Sequence, residues 1–375
     1  MARMMGEIAL RYPARSLVVS TGAYPESAAS DRRFTQIVDR VPVPARRLRT
    51  VQGLVRWTAR AAALARQHRP GFTWCAELKP AAYPARWLRG RQGIPYGVVT
   101  HGAELLLLDE KIRRSAWRRA MGRRLLEGAS VVVANSRWTG DYTRRILAAH
   151  GLESAGDRVR VVPLGTDPRQ FRPGIDTRAI RRKYGIEGGP WLLTVARLDW
   201  HKGFDTVIQA LPAIRAAHPG ARYAIAGTGA AREHLADLAR ETGTADAVRF
   251  LGFVPEDDLP ALYNAADLFV LASRRQDLLV EGFGIAVAEA SACGVAVVAG
   301  REGGVPDAVR EGETGLLVNP YRPDAVARAV IEMLGDDERR RRFGAAGRRA
   351  VETYYNWDRV VRDLRALDEE HRRQG

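Results

Sequence analysis

Residues 191–207 read WLLTVARLDWHKGFDTV. Trp191–Ala196 is a short apolar run of strand character, and an amphipathic helix opens at Phe204. The stretch therefore predicts a strand, a loop and a helix in succession. The loop carries Arg197 and Lys202. Open α/β sheets bind ligands beyond the C-terminal ends of their strands. Two cations placed there suit a diphosphate, Arg as a fork and Lys as a point charge. Taken singly, each also reads as a solvated loop charge.

The same alternation extends outward in both directions. Toward the C-terminus, apolar runs recur at Tyr223–Ala226, Val248–Leu251, Leu268–Leu271, Val295–Ala299 and Gly315–Val318. Toward the N-terminus they recur at Ser16–Ser20, Val38–Val43, Phe72–Glu77, Tyr96–Thr100, Ser130–Ala134 and Val159–Pro163. Strands alternating with helical stretches predict an α/β fold with a parallel sheet and helices on both faces in each half. A chain of 375 residues suits two such domains. Gly165–Gly174, rich in Pro and Gly, reads as the linker. The expected domains are residues 1–168 and 169–355, with a last helix over 356–375 that starts near Trp357.

A second stretch carries acids. Val280–Gly294 reads VEGFGIAVAEASACG, with Glu281 and Glu289 eight positions apart. Glu281 precedes a Gly-Phe-Gly turn, and Glu289 lies inside the Ala-rich helix that follows. The first turn of a helix has no internal acceptors for its N–H groups. The N–H groups of Phe283, Gly284 and Ile285 should thus be free, and with the helix dipole they suit a phosphate. A phosphate pocket flanked by two acids points to a ligand that is part phosphate and part polyol, such as a nucleotide-sugar. Glu289 suits ribose hydroxyls, as acids do in dinucleotide sites, and its Ala-rich surroundings argue for a buried, paired acid rather than a helix-surface Glu.

Arg197 with Lys202, followed by Glu281 with Glu289, resembles the family 4 retaining glycosyltransferases of the GT-B fold. THGAE (Thr100–Glu104), VVANSRWT (Val132–Thr139), VPLGTDPRQFRP (Val162–Pro173), IAGTG (Ile225–Gly229), FLGFVPEDDLPALYNAADLFVLAS (Phe250–Ser273) and EGETGLLV (Glu311–Val318) agree in order and spacing. The resemblance implies two Rossmann-like domains facing a cleft, with a C-terminal helix crossing back to the first. It implies transfer of a hexose from a nucleoside-diphosphate sugar to a hydroxyl of a lipid, glycan or small molecule. The THGAE and EGFGIAVAE segments are similar to those of phosphatidylinositol mannosyltransferase-like members, which makes GDP-mannose the first donor expected, ahead of UDP-glucose and UDP-N-acetylglucosamine. Glu281 would grip donor-sugar hydroxyls, and His101 would face the sugar from the first domain. Arg137 and Asp167 are further candidates near the cleft. Gly227 and Gly229 would let a loop pass the nucleotide, and Val254 would meet the base through its backbone.

The family retains anomeric configuration. A double displacement would need a carboxylate nucleophile beneath the ring, for which Glu104 is the first-domain candidate; same-face departure and attack is the preferred course. The chain has no Asp-x-Asp pair, and Glu256-Asp257-Asp258 starts a helix, where acids offset the dipole. Metal independence and the absence of a cofactor are therefore expected. The chain opens at Met1-Ala2-Arg3-Met4-Met5 on what reads as the first helix, so the family's opening strand and Gly-Gly loop are expected to be absent. That departure leaves a non-catalytic, membrane-associated or partner subunit as the alternative.

Composition limits the remaining choices. Two cysteines, Cys75 and Cys293, exclude a disulfide framework. No apolar run approaches the roughly 18–20 residues of a membrane span, and Glu7 and Arg11 interrupt the N-terminal apolar residues, so a cytoplasmic protein is expected. The net charge of +16 belongs to the first half, where residues 1–170 hold 30 Lys+Arg against 13 Asp+Glu. Arg46–Arg69 and Lys111–Arg124 can form helices with an Arg face and apolar residues that include Trp57 or Trp117. Such helices suit an anionic membrane surface. No nucleic-acid motif accompanies them, and an Arg-rich composition, 55 Arg to 4 Lys, is the plainer reading.

Overall fold

A computed structural model describes residues 2–23, 27, 31–44, 50–102, 106, 109–110 and 114–372. Glu104, residues 46–49 and residues 111–113 lie outside the described residues. The chain forms two compact units, Met1–Val162 with Trp357–Gly375, and Pro163–Asn356.

The first unit runs α1 (Ala2–Arg11), β1 (Val18–Ala23), β2 (Ile37–Pro44), α2 (Val51–His68), β3 (Thr73–Cys75), α3 (Ala82–Gln92), β4 (Tyr96–Thr100), α4 (Ala116–Glu127), β5 (Val131–Ala134), α5 (Arg137–Ala149), the single turn α6 (Glu153–Gly156) and β6 (Val159–Val161). Among the described residues its strands are parallel but form two sheets, β1-β2 and β3-β4-β5-β6, where one sheet was expected. Apolar runs mark where strands are; they do not state which strands lie side by side. β4 and β5 are buried along their whole length, as strands covered on both faces are. The Tyr96 hydroxyl donates to the Leu125 carbonyl at 2.5 Å and pins α4 to that sheet. Ser115 and Ser136 cap α4 and α5 by accepting from the N–H groups of Arg118 and Thr139.

The second unit runs α7 (Arg178–Tyr184), β7 (Trp191–Val195), α8 (Phe204–Ala217), β8 (Arg222–Ala226), α9 (Arg232–Glu241), β9 (Val248–Gly252), α10 (Leu259–Asn264), β10 (Leu268–Leu271), α11 (Ile285–Ala292), β11 (Val297–Gly300), β12 (Gly315–Val318), α12 (Pro323–Gly335) and α13 (Asp337–Thr353). Its six parallel strands are ordered β12-β11-β10-β7-β8-β9. The chain steps outward from β7 to β9, returns to β10, and then steps the other way. β7 and β10 are therefore neighbours whose following helices depart in opposite directions, which is the switch point at which such sheets bind ligands. Phe204, Ile208, Leu211, Val270, Val330 and Met333 fill the core beneath it. The last helix, α14 (Trp357–Arg372), belongs to the first unit. It packs on α1, and His371 Nε2 donates to the Ser130 carbonyl at 2.9 Å. Among the described residues no helix is long and apolar enough to cross a membrane.

Candidate active site

The loops after β7 and β10 meet at the switch point and are latched together. Gly203, with φ at 72°, ends the turn after β7 and begins α8. A Cβ there would lie 1.8 Å from the Ala272 carbonyl oxygen, so only glycine allows the two loops to approach this closely. The Arg274 N–H donates to the His201 carbonyl at 2.8 Å. Its guanidinium grips Asp205 at 2.6 and 2.9 Å and Thr206 Oγ1 at 2.8 Å, which ties the loop after β10 to the first turn of α8.

This latching brings Lys202 and Glu281 into contact. Lys202 Nζ donates to Glu281 Oε2, and both side chains are partly buried. Burial alone would raise the Glu281 carboxyl, but the Lys202 ammonium, with His201 and Arg197 adding, holds it below the usual carboxylate range. Burial, and then the Lys202 charge, push the His201 imidazole down. Arg197 differs from Lys202. Its side chain is 77% exposed and pairs with Asp199 at 2.9 Å.

α11 begins beside Glu281. Gly284, at φ 93°, stands at its N-cap without a side-chain cap. Val287 N–H returns to the Gly284 carbonyl at 3.0 Å, whereas the N–H groups of Phe283, Gly284 and Ile285 have no acceptor among the described residues. The Phe283 side chain is buried, its ring centroid 6.2 Å from that of Tyr355, which leaves only its backbone to face a ligand. Glu289, four positions into α11, is 3% exposed, and the Tyr263 hydroxyl donates to its Oε2 at 2.7 Å.

The remaining candidates fall elsewhere. Gly227 and Gly229 pack the loop after β8 against the loop after β7, with a Cβ placed 1.9 Å from the Ala196 oxygen and 2.6 Å from the Leu198 oxygen respectively. Packing alone thus accounts for both glycines. Val254 follows β9 with its side chain buried. Asp167 accepts from the Arg169 N–H at 2.8 Å. His101 and Arg137 belong to the first unit: His101 follows β4 and donates through Nε2 to the Ala76 carbonyl at 2.8 Å, and Arg137 is exposed at the first position of α5. His201, Asp205, Tyr263 and Arg274 are site residues that sequence reasoning missed. For Tyr263 a signal existed, a Tyr following the apolar run Leu259–Leu262 in a short helix. Among the described residues no cluster of three or more His, Cys, Asp or Glu side chains suits a metal ion.

Residues 176–350 match the family model described as glycosyl transferases group 1, and residues 1–170 match that of glycosyltransferase family 4. A GDP-mannose-dependent α-(1-6)-phosphatidylinositol monomannoside mannosyltransferase of Mycobacterium tuberculosis is 38% identical over 269 residues, covering 71% of this chain and 67% of that protein. The chain belongs to the family 4 glycosyltransferases. A D-inositol 3-phosphate glycosyltransferase of Acidothermus cellulolyticus is 36% identical, over 65% of this chain and 55% of that protein. The solved structure of Anabaena Alr3699/HepE in complex with UDP superposes with a TM-score of 0.78 at 19% identity, over 99% of this chain and 96% of that one, and shares the fold. The two α/β units of this glycosyltransferase are accordingly the two Rossmann-like domains of a GT-B fold.

Proposed function

We propose that this glycosyltransferase moves mannose from GDP-mannose to an acceptor hydroxyl, with retention of configuration and without a metal. The observation that carries the proposal is the Lys202–Glu281 contact beside the N–H groups at the start of α11 that have no acceptor among the described residues. As the bond between the sugar C1 and the diphosphate oxygen breaks, negative charge grows on the diphosphate. The Lys202 ammonium and the α11 N–H groups are preorganised for that charge, and Arg197, exchanged from Asp199, joins them. Glu281 grips sugar hydroxyls and favours positive charge on the ring. Glu289 holds the ribose hydroxyls, and backbone near Val254 meets the base. His101 serves a sugar hydroxyl. The acceptor oxygen bonds to C1 on the face the diphosphate leaves, and its proton passes to a leaving-group oxygen. UDP-glucose and UDP-N-acetylglucosamine are the next donors to consider. Family membership favours this enzyme over a non-catalytic relative. A lipid acceptor would place it at the cytoplasmic face of a membrane.

A melting screen of sugar nucleotides tests the donor, since a ligand at 100 times its Kd adds about 2.7 kcal/mol. GDP-mannose is expected to stabilise the chain most. Stabilisation by UDP-sugars alone refutes the donor assignment. An inverted product anomer, a trapped glycosyl-enzyme adduct, or turnover lost to a chelator refutes the mechanism.

A further inference from the structure

His201 stands between Arg197 and Lys202 in the loop after β7, and the chemistry above gives it no task. It lies on the single turn Trp200–Lys202 that closes the loop. The residue is 4% exposed, and its Nδ1 is buried without a hydrogen-bond partner among the described residues. Ser273 Oγ, on the residue before Arg274, is likewise buried and without a partner. The Arg274 N–H holds the His201 carbonyl at 2.8 Å, so the latch fixes the backbone that carries the ring. A buried ring nitrogen left without a partner is costly to keep. An apolar side chain would fill the same place without that cost, so packing does not account for a histidine.

Four charges act on the ring. Lys202 and Arg197 disfavour its protonated form, and Glu281 and Asp199 favour it. Each cation is already matched by an acid, Lys202 by Glu281 and Arg197 by Asp199 at 2.9 Å. Arg274 and Asp205, across the latch, match each other. Burial therefore decides, and holds the imidazole below its ordinary value. A bound diphosphate breaks this balance. It adds negative charge beside Lys202, and it draws Arg197 away from Asp199, whose carboxylate is then left near His201 without its cation. Both changes favour the imidazolium.

We propose that His201 takes up a proton when a sugar nucleotide binds, so that an imidazolium stands behind the two cations that hold the diphosphate. The proton comes from solvent and returns to it when the nucleotide leaves. The inference rests on the diphosphate placement proposed above. Its sign follows from linkage. A group whose proton affinity rises on binding strengthens binding fully below its free-state pKa, and that gain is lost as pH rises through the bound-state value. The free-state value lies below the ordinary ~6.5. Between the two values donor affinity should fall by up to about tenfold per pH unit.

Calorimetric titration of the full chain with GDP-mannose, without acceptor, tests it in PIPES and in Bis-Tris near pH ~6.5. Both phosphates of a sugar nucleotide lack the terminal proton that titrates near ~6, so uptake measured with it belongs to the protein. The heats are expected to differ between the buffers in the sense of proton uptake, and Kd is expected to rise with pH. His201→Gln should still bind the donor and lose both dependences. His234→Gln, which alters the exposed histidine stacked on Trp200, should keep both. Equal heats in the two buffers, proton release, or undiminished uptake in His201→Gln, with His101 or another group as its source, overturns the proposal. Should His201→Gln not fold, Asp199→Asn replaces it: weaker uptake is expected, and undiminished uptake overturns the proposal. UDP-glucose in the same protocol separates linkage from donor identity. Uptake with UDP-glucose where GDP-mannose does not bind sustains the linkage and refutes the donor assignment, and absence of binding by either overturns both.

Discussion

Removing the Tyr263 hydroxyl tests how Glu289 is held. Tyr263 is fully buried, its ring centroid 5.9 Å from that of Phe171 and 5.8 Å from that of Phe269. Phenylalanine fills the same space, so Tyr263→Phe opens no cavity and removes one donor. That donor serves a carboxylate only 3% exposed. Hydrogen bonds to charged groups contribute about 1.5–3 kcal/mol. For a unit of this size, each kcal/mol shifts Tm by roughly 2–4 °C. A loss of about 2 kcal/mol should therefore lower the melting transition by roughly 4–8 °C.

The same change should reach the donor. If Glu289 holds ribose hydroxyls, loss of the hydrogen bond that fixes its orientation should raise the donor Kd about tenfold, or about 1.4 kcal/mol, and leave turnover at saturating donor near the parent value. A double-mutant cycle with Glu289→Gln, read by calorimetry and by donor titration, isolates the pair. A coupling of at least about 1 kcal/mol is expected for residues in direct contact. Additivity within about 0.5 kcal/mol, or an unchanged donor Kd in Tyr263→Phe, refutes the reasoning.

Three further changes address the loops. Lys202→Met should lower turnover about 10²–10³-fold, the usual loss for one preorganised group that stabilises transition-state charge, and steady-state kinetics with GDP-mannose checks it. Glu281 has a folded pKa below its ordinary value near ~4.3, so its pairing contributes stability that is fully present above that value and is lost as pH falls through the lower folded value. The Tm gap between parent and Lys202→Met should hold steady near neutrality and shrink on acidification; a widening gap contradicts the pairing. Gly203→Ala puts a Cβ 1.8 Å from the Ala272 oxygen at φ 72° and should abolish donor-induced stabilisation as well as lower Tm. Gly174→Ala, at φ 77° with nothing within 4 Å, should show only the left-handed backbone cost of about 1–2 kcal/mol.

The strands were legible because parallel strands buried on both faces read as near-continuous runs of Val, Ile, Leu and Ala. Tyr96–Thr100, Leu268–Leu271 and Gly315–Val318 fall where the apolar runs do, and the last helix starts at Trp357. Strand neighbours were not legible. The separation of β1-β2 from β3-β4-β5-β6 depends on ladders between segments distant in the chain. The two tryptophans of the basic segments show the same limit. Each stands among arginines at helical spacing, yet Trp57 turns inward to Ser20 and Trp117 stands in solvent. Periodicity defines a face; packing decides what covers it.

At the site, spacing showed which groups the helix start would offer but not which groups would meet. Lys202 and Glu281 lie 79 positions apart and touch only because β7 and β10 are adjacent and Gly203 lets their loops close. The contact has a chemical meaning that neither loop carries alone. An ammonium has three donors and spends one on Glu281, while Glu281 keeps its second oxygen. A group suited to phosphate and a group suited to hydroxyls are thus held side by side, as the phosphate and the first ring carbon are in a sugar nucleotide. Arg197 is placed differently. Its exposed pair with Asp199 is worth about 0–1 kcal/mol, so exchanging that carboxylate for a diphosphate costs little. In the proposed reaction Lys202 is the fixed cation, set against the sugar by Glu281, and Arg197 is the one that moves.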